Sequence, residues 1–215
     1  MPKVLEFCFD FMSPPSYFAW TQLPAMVDRT GCDLRWRPML TIGLHDIVGN
    51  RSPVMVPNKE KWIAKDLQRF ASEYEVTLRM NPHGLVNILP ASRAAALAER
   101  EGGLAALMDV VYPAMFIHGL NLSEIGVLGE LLTEAGFDAS RYLEAITTDE
   151  MKNFLKQNTE EAGERGVVVP QGFSSARQCI LARIGYAGLN RIFLPSSSSG
   201  ARWYASPYYS SSRAS

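Results

Sequence analysis

Val4-Leu5-Glu6-Phe7-Cys8-Phe9-Asp10-Phe11-Met12-Ser13-Pro14-Pro15-Ser16-Tyr17-Phe18-Ala19-Trp20 is the stretch whose reading decides the fold. Residues 3–10 alternate as a buried strand does, and from 16 to 29 Phe18, Leu23, Met26 and Val27 recur at helical spacing. Between the two, Ser13-Pro14-Pro15-Ser16 makes a tight turn into the helix. Serine followed by proline is the composition of a helix N-cap with proline at the first helical positions. A helix start offers free N–H groups and the positive end of the helix dipole, which together favour an anion such as a thiolate. A serine hydroxyl there can donate a hydrogen bond to a bound sulfur and lower its pKa. The same residues also suit an ordinary capped helix start in any fold.

Working outward, Leu34-Arg35-Trp36-Arg37-Pro38 reads as a second strand, which implies a parallel, right-handed βαβ unit. A long helical middle follows. Residues 58–75 place Trp62, Ile63, Leu67 and Phe70 on one face, 90–101 form an Ala-rich helix, and 103–117 another, kinked at Pro113. Asn121 and Glu124 resemble a capping box for a helix ending at Gly136, and helices are predicted over 139–146 and 149–164. Val167-Val168-Val169-Pro170 then reads as a short buried strand running into a proline. This order gives an α/β class: a thioredoxin-like domain with a large inserted α-helical domain. Residues 1–50 and 166–194 read as the thioredoxin-like part, its C-terminal portion incomplete, and 51–165 as the inserted helical domain. The serine-rich segment 195–215 has no helical or strand period and reads as disordered. Thioredoxin-type proteins carry Cys-x-x-Cys at the first helix start. Serines at 13 and 16 exclude dithiol chemistry at that place.

With 215 residues, 47% of them hydrophobic, the chain can bury a sizeable core as one domain or one domain with an insertion. The net charge of −1, with both signs mixed, gives no basic field for nucleic acid or acidic lipid. The sequence contains no apolar run of about 18 residues and no signal-type N-terminus, so a soluble, cytoplasmic protein is expected. Cys8, Cys32 and Cys179 form no Cys-x-x-Cys pair, and His45, His83 and His118 have no ligand spacing, so no metal is expected.

Phe9-Asp10-Phe11-Met12-Ser13-Pro14-Pro15-Ser16-Tyr17 closely resembles the FDFxSPxSY opening of the 2-hydroxychromene-2-carboxylate isomerases. These are glutathione-dependent enzymes of DsbA-like fold, related to the kappa-class glutathione transferases. The resemblance continues through Gly49-Asn50, Asn58-Lys59, Lys65-Asp66-Leu67-Gln68-Arg69 and Met80-Asn81-Pro82-His83, and covers residues 3–170. It implies that Ser13 meets the glutathione thiol as nucleophile or thiol activator. It also implies that Val169 and Pro170 hydrogen-bond the glutathione backbone, as a strand edge binds an extended peptide. His45, Asn58 and Asn87 are the substrate-binding candidates by position. A solvated loop histidine is the alternative for His45, and Lys59 reads as a solvated lysine at a helix start. Phe11, Met12, Trp36 and Met39 suit either an apolar wall for an aromatic ring or the core. The implied reaction is isomerisation of 2-hydroxychromene-2-carboxylate to trans-o-hydroxybenzylidenepyruvate in aromatic-hydrocarbon catabolism of the naphthalene type. Glutathione would be the cofactor, and the relatives are usually homodimers. A kappa-type transferase and a non-catalytic thioredoxin-fold binding module are the alternatives.

After Pro170 the family continues with a strand such as TFFVG and then FGQDRL or WGNDRL, whereas this chain reads Gln171-Gly172-Phe173-Ser174-Ser175-Ala176-Arg177 and onward. Codons compatible with residues 178–186, regrouped into the neighbouring frame, spell MYFGQDRL. The expectation is therefore a reading-frame slip between about 167 and 174, with loss of the last strand, the last helix and part of the glutathione site.

Overall fold

The computed structural model describes residues 4–52, 55–167, 172–175 and 178–181. Strand β1 (Val4–Phe9) leads through helix α1 (Pro14–Thr30) into β2 (Asp33–Pro38), which pairs with β1 in parallel from Val4↔Asp33 to Phe9↔Pro38. The expected βαβ unit is present. α1 stops at Gly31, whose φ of 65° lets its N–H reach back to the Val27 carbonyl. Two further strands, β3 (Gly172–Ser175) and β4 (Gln178–Leu181), complete a sheet of order β2-β1-β3-β4. β3 runs antiparallel to β1 through Glu6↔Ser174 and Phe7↔Phe173, and β4 antiparallel to β3. The sequence reading expected the last strand to be lost after Pro170. The free edge of β1 instead accepts a strand there, because a ladder needs backbone groups and not a particular motif.

The helices are α2 (Thr41–Val48), α3 (Pro57–Glu73), α4 (Leu89–Glu101), α5 (Leu104–Pro113), α6 (Ile125–Glu134), α7 (Ala139–Ala145) and α8 (Asp149–Glu164). Between α5 and α6, Ala114–His118 form a π-turn closed by Gly119 at φ 66°. The helix expected over 103–117 is thus two segments that meet after Pro113. α6 starts four residues later than the expected capping box. Asn121 and Glu124 bond to each other, side chain to side chain, at 2.9 Å, and Asn121 accepts the Ser123 N–H in the turn. Trp62, expected on the buried face of its helix, is 57% exposed, while Leu67 and Ala71 of the same helix are buried. Val167 is buried but lies outside the strands, and Val168–Pro170 fall outside the described residues.

The two-residue period of β1 explains how the layers assemble. Leu5, Phe7 and Phe9 enter the main core with Tyr17, Phe18 and Leu23 of α1. Tyr112 and Phe116 join them from α5 and the π-turn, with ring centroids of Tyr17 and Phe116 5.1 Å apart. Cys8, on the opposite face, packs with Met39, Leu44, Ala162 and Val167. On that same face Glu6 pairs with Arg165 and, at 3.8 Å, with Arg37. Both faces of β1 are therefore covered, as its nearly continuous apolar sequence requires. Among the described residues no helix is long and apolar enough to cross a membrane.

Candidate active site

The chain leaves the C-terminal end of β1 in a turn that Asp10 organises. Its Oδ1 accepts the Met12 N–H at 2.7 Å, and its carbonyl accepts the Ser13 N–H at 3.1 Å. Its Oδ2 accepts the Thr41 N–H at the start of α2 at 2.6 Å. One carboxylate thus ties the entrance of α1 to the entrance of α2. Asp10 is 3% exposed, and burial pushes its carboxyl above the usual carboxylate range. The Thr41 and Met12 hydrogen bonds and the nearby His45 pull in the opposite direction.

Ser13 caps α1. Its φ of −91° and ψ of 109° are extended, its Oγ accepts the Ser16 N–H at 3.3 Å, and its carbonyl accepts the Tyr17 N–H at 3.1 Å. Ser16 is fully buried, and its Oγ accepts the Asp10 N–H at 3.4 Å. The two serines therefore differ in role: Ser16 is internal bracing, and Ser13, itself buried at 7% exposure, caps the helix. One expectation is overturned here. The first turn of α1 does not offer free N–H groups to an anion, since Pro14 and Pro15 carry none and the Ser16 N–H is bound to Ser13. The Ser13 hydroxyl proton becomes the principal donor at this helix end, because the oxygen accepts from Ser16 and keeps its own hydrogen to give.

His45 is not a loop residue. It lies one turn into α2, 8% exposed, near Asp10. Asp10 is thus hydrogen-bonded in the Ser13 turn and to the start of the helix that carries His45. Asn58 is exposed at the start of α3 with Lys59 beside it, which matches the solvated reading of that lysine. Asn87 is exposed as well; its N–H donates to Ser123 Oγ at 2.8 Å and its Oδ1 accepts the Leu89 N–H at 3.1 Å. No hydrogen bond among the described residues links either asparagine to Ser13. Val169 and Pro170 lie outside the described residues. Phe11 and Met39 have no exposed surface, and Met12 and Trp36 pack half-buried against the core, so the core reading holds for the first two.

Sequence reasoning missed Asp10 and Tyr112. Tyr112 of α5 is completely buried, 5.0 Å from the Phe11 ring, and its hydroxyl is held well above the ordinary tyrosine range by burial and by the neighbouring Asp10. A charged residue closing an apolar strand was the available signal for Asp10. For Tyr112, one ring among many apolar helix positions, the sequence carries none.

The profile of the DSBA-like thioredoxin domain matches residues 4–170. The chain belongs to the DsbA-like thioredoxin-domain family. Its match stops where the sequence leaves the isomerase pattern. Among members of this DsbA-like group, the 2-hydroxychromene-2-carboxylate isomerase of Sphingobium xenophagum is 29% identical over 177 residues, spanning 78% of this chain and 86% of the relative. Human glutathione S-transferase kappa 1 is 23% identical over 176 residues, spanning 77% and 78% respectively. A solved 2-hydroxychromene-2-carboxylate isomerase superposes with a TM-score of 0.76 at 22% identity, covering 88% of this chain and 91% of that one, which establishes the shared DsbA-like fold.

Proposed function

We propose that this DsbA-like chain is a glutathione-dependent isomerase that converts 2-hydroxychromene-2-carboxylate to trans-o-hydroxybenzylidenepyruvate, in aromatic catabolism of the naphthalene type. The observation that carries the reading is the capped, cysteine-free start of α1: a serine hydroxyl with a proton to donate, at a helix end stripped of other donors. That arrangement suits stabilising a sulfur anion brought by a ligand and cannot form a disulfide of its own. Isomerases and kappa transferases among the relatives support the same chemistry.

In this reading Ser13 would hold the glutathione sulfur, with Val169 and Pro170 on its peptide backbone. When bound, glutathione supplies a thiolate nucleophile for reversible addition to a conjugated double bond. The chain's own contribution is positional and electrostatic. Ser13 Oγ gives its proton toward the anion, and the dipole of α1 adds a favourable field. Asp10 fixes the turn that aims Ser13, and His45 provides a basic side chain on the α2 side of the same carboxylate. Asn58 and Asn87 are carried as substrate contacts, and a cytoplasmic homodimer completes the proposal.

The test is ultraviolet-followed conversion of 2-hydroxychromene-2-carboxylate with and without trace glutathione. Turnover that needs only catalytic glutathione supports the isomerase. Stoichiometric consumption of glutathione assigns the kappa-type transferase instead, and a folded protein that does neither is a binding module. The reading-frame slip is proposed alongside. Sequencing the gene across codons 167–186 decides it, because codons that cannot be regrouped to MYFGQDRL rule it out.

A further inference from the structure

The junction between β2 and α2 is held bond by bond from two sides. The Pro38 carbonyl accepts from Asn158 Nδ2 of α8 at 3.2 Å, and the Met39 N–H donates to the Phe9 carbonyl at the end of β1 at 3.0 Å. The Leu40 N–H then donates to Thr159 Oγ1 of α8 at 3.1 Å, and the Thr41 N–H to Asp10 Oδ2 at 2.6 Å. Residues 38–41 are thus gripped alternately by α8 and by the end of β1. Asn158 and Thr159 are 2% and 3% exposed. Each makes a second bond that fixes its rotamer: Thr159 Oγ1 donates to the Leu155 carbonyl at 2.9 Å, and Asn158 Nδ2 to Glu99 Oε2 of α4 at 3.4 Å. Buried polar side chains are otherwise scarce. Tyrosines aside, seven polar or charged residues are buried among the described ones, and all except Ser92 lie in the turn into α1, on α2 or at this pair in α8.

A buried hydrogen bond adds little net stability over well-packed apolar groups of the same shape; what it adds is direction. Here the direction leads to Ser13. Asp10 takes the Thr41 N–H on one carboxylate oxygen and the Met12 N–H on the other, and its carbonyl holds the Ser13 N–H. A displacement of residues 40 and 41 is therefore passed to the Ser13 turn through one planar carboxylate. We propose that Asn158 and Thr159 are positioning residues for Ser13, aiming its hydroxyl from α8 through the 38–41 junction and Asp10. The inference rests on the isomerase reading for the reaction it serves. α2 lies close enough on α8 for this control to be tight: a Cβ on Gly43 would stand 3.4 Å from Thr159 Cγ2, and one on Gly163 would stand 2.8 Å from Ile47 Cγ2.

The experiment compares two substitutions in the full-length protein. Thr159→Val keeps the shape but puts a methyl group where the Leu40 N–H has its acceptor; Thr159→Ser keeps the acceptor. With glutathione and 2-hydroxychromene-2-carboxylate, Thr159→Val should lower kcat by about tenfold or more while KM stays near wild type, and Thr159→Ser should restore most of the rate. Amide-resolved NMR of the same variants without ligand is the second readout. Thr159→Val should move the Met12 and Ser13 signals, and Thr159→Ser should return them. Gly163→Ala reaches the same junction with Thr159 intact, since its methyl group forces Ile47 and the helix that carries it to give way. It should shift kcat and the two signals in the same direction, and it decides the matter where Thr159→Val does not fold. The proposal is overturned by wild-type kcat in folded Thr159→Val, by a loss that serine does not rescue, or by unmoved Met12 and Ser13 signals in every folded variant. A wild-type protein that does not turn the substrate over overturns the isomerase reading alone, and the signals then decide the positioning by themselves.

Discussion

Ser13 carries two duties on one oxygen, and substitutions can separate them. Ser13→Ala removes both the cap and the donor: about 1 kcal/mol of stability should go, read by urea unfolding, together with most of the glutathione-dependent rate. Ser13→Asp keeps an acceptor for the Ser16 N–H but puts a negative charge where a sulfur anion would sit. It should unfold like wild type yet bind glutathione poorly, which thiol-pKa titration by ultraviolet absorbance would show. Asp10 makes a pH prediction. Its carboxyl is raised by burial, so above about pH 3.8 the folded chain still holds a proton that the unfolded chain has released. The contribution of Asp10 to stability therefore falls as pH rises from there through its raised value. Asp10→Asn should flatten that slope in urea titrations at successive pH values. It should also cost about 1–3 kcal/mol, because one amide oxygen cannot serve both Met12 and Thr41. Ser13 was legible as a helix cap because serine before two prolines at a strand-to-helix junction has the composition of an N-cap. Its role toward glutathione came from the family resemblance alone. Asp10 was not, since a carboxylate at a strand end reads as a turn residue until its second partner, 31 residues on, is seen.

Helices with strong local punctuation were the readable elements. α8 was predicted within a residue at both ends, and Thr148 Oγ1 caps it by accepting the Met151 N–H at 3.4 Å. α7 likewise starts at Asp138, whose side chain accepts the Arg141 N–H. α2 was missed because Leu40 supplies no side-chain cap; its first N–H groups are taken by Asp10 and Thr159, partners far away in sequence. The π-turn was equally invisible, being imposed by its surroundings. Arg79 donates its N–H to the Phe116 carbonyl at 2.8 Å, and Asn81 Nδ2 donates to the Leu120 carbonyl at 2.9 Å. Gly119 closes that turn in the left-handed region, and a Cβ there would sit 2.7 Å from Pro82 Cδ. Gly119→Ala should therefore lose more than the ~1–2 kcal/mol of left-handed backbone alone. Differential hydrogen exchange should place the loosening in 114–122 and 78–83, not in the sheet.

Across the whole molecule, sheet and helical segment share one apolar cluster, and Phe11 joins the two. Its ring centroid lies 5.4 Å from Phe9 of β1 and 5.0 Å from Tyr112 of α5. Phe11→Ala should cost about 3–5 kcal/mol, a large share of the 5–15 kcal/mol typical of a domain, and should give one cooperative calorimetric transition at lower temperature. Two separate transitions would contradict a shared core. The thioredoxin-like class was visible from the order strand, helix, strand, helices, because that order depends on period alone. The closing strands were not, because residues 172–181 lack the expected motif and pair through backbone groups. Their position has a consequence for biosynthesis. β1 leaves the ribosome before the other described strands, yet one of its edges finds its partner only when residues 172–175 emerge. At roughly 5–20 residues per second, that edge waits on the order of ten seconds after β2 has emerged. During that interval each nascent chain exposes an apolar template that a neighbour on the same messenger can extend, so yield should depend on chaperone supply more than on the stability of the finished fold.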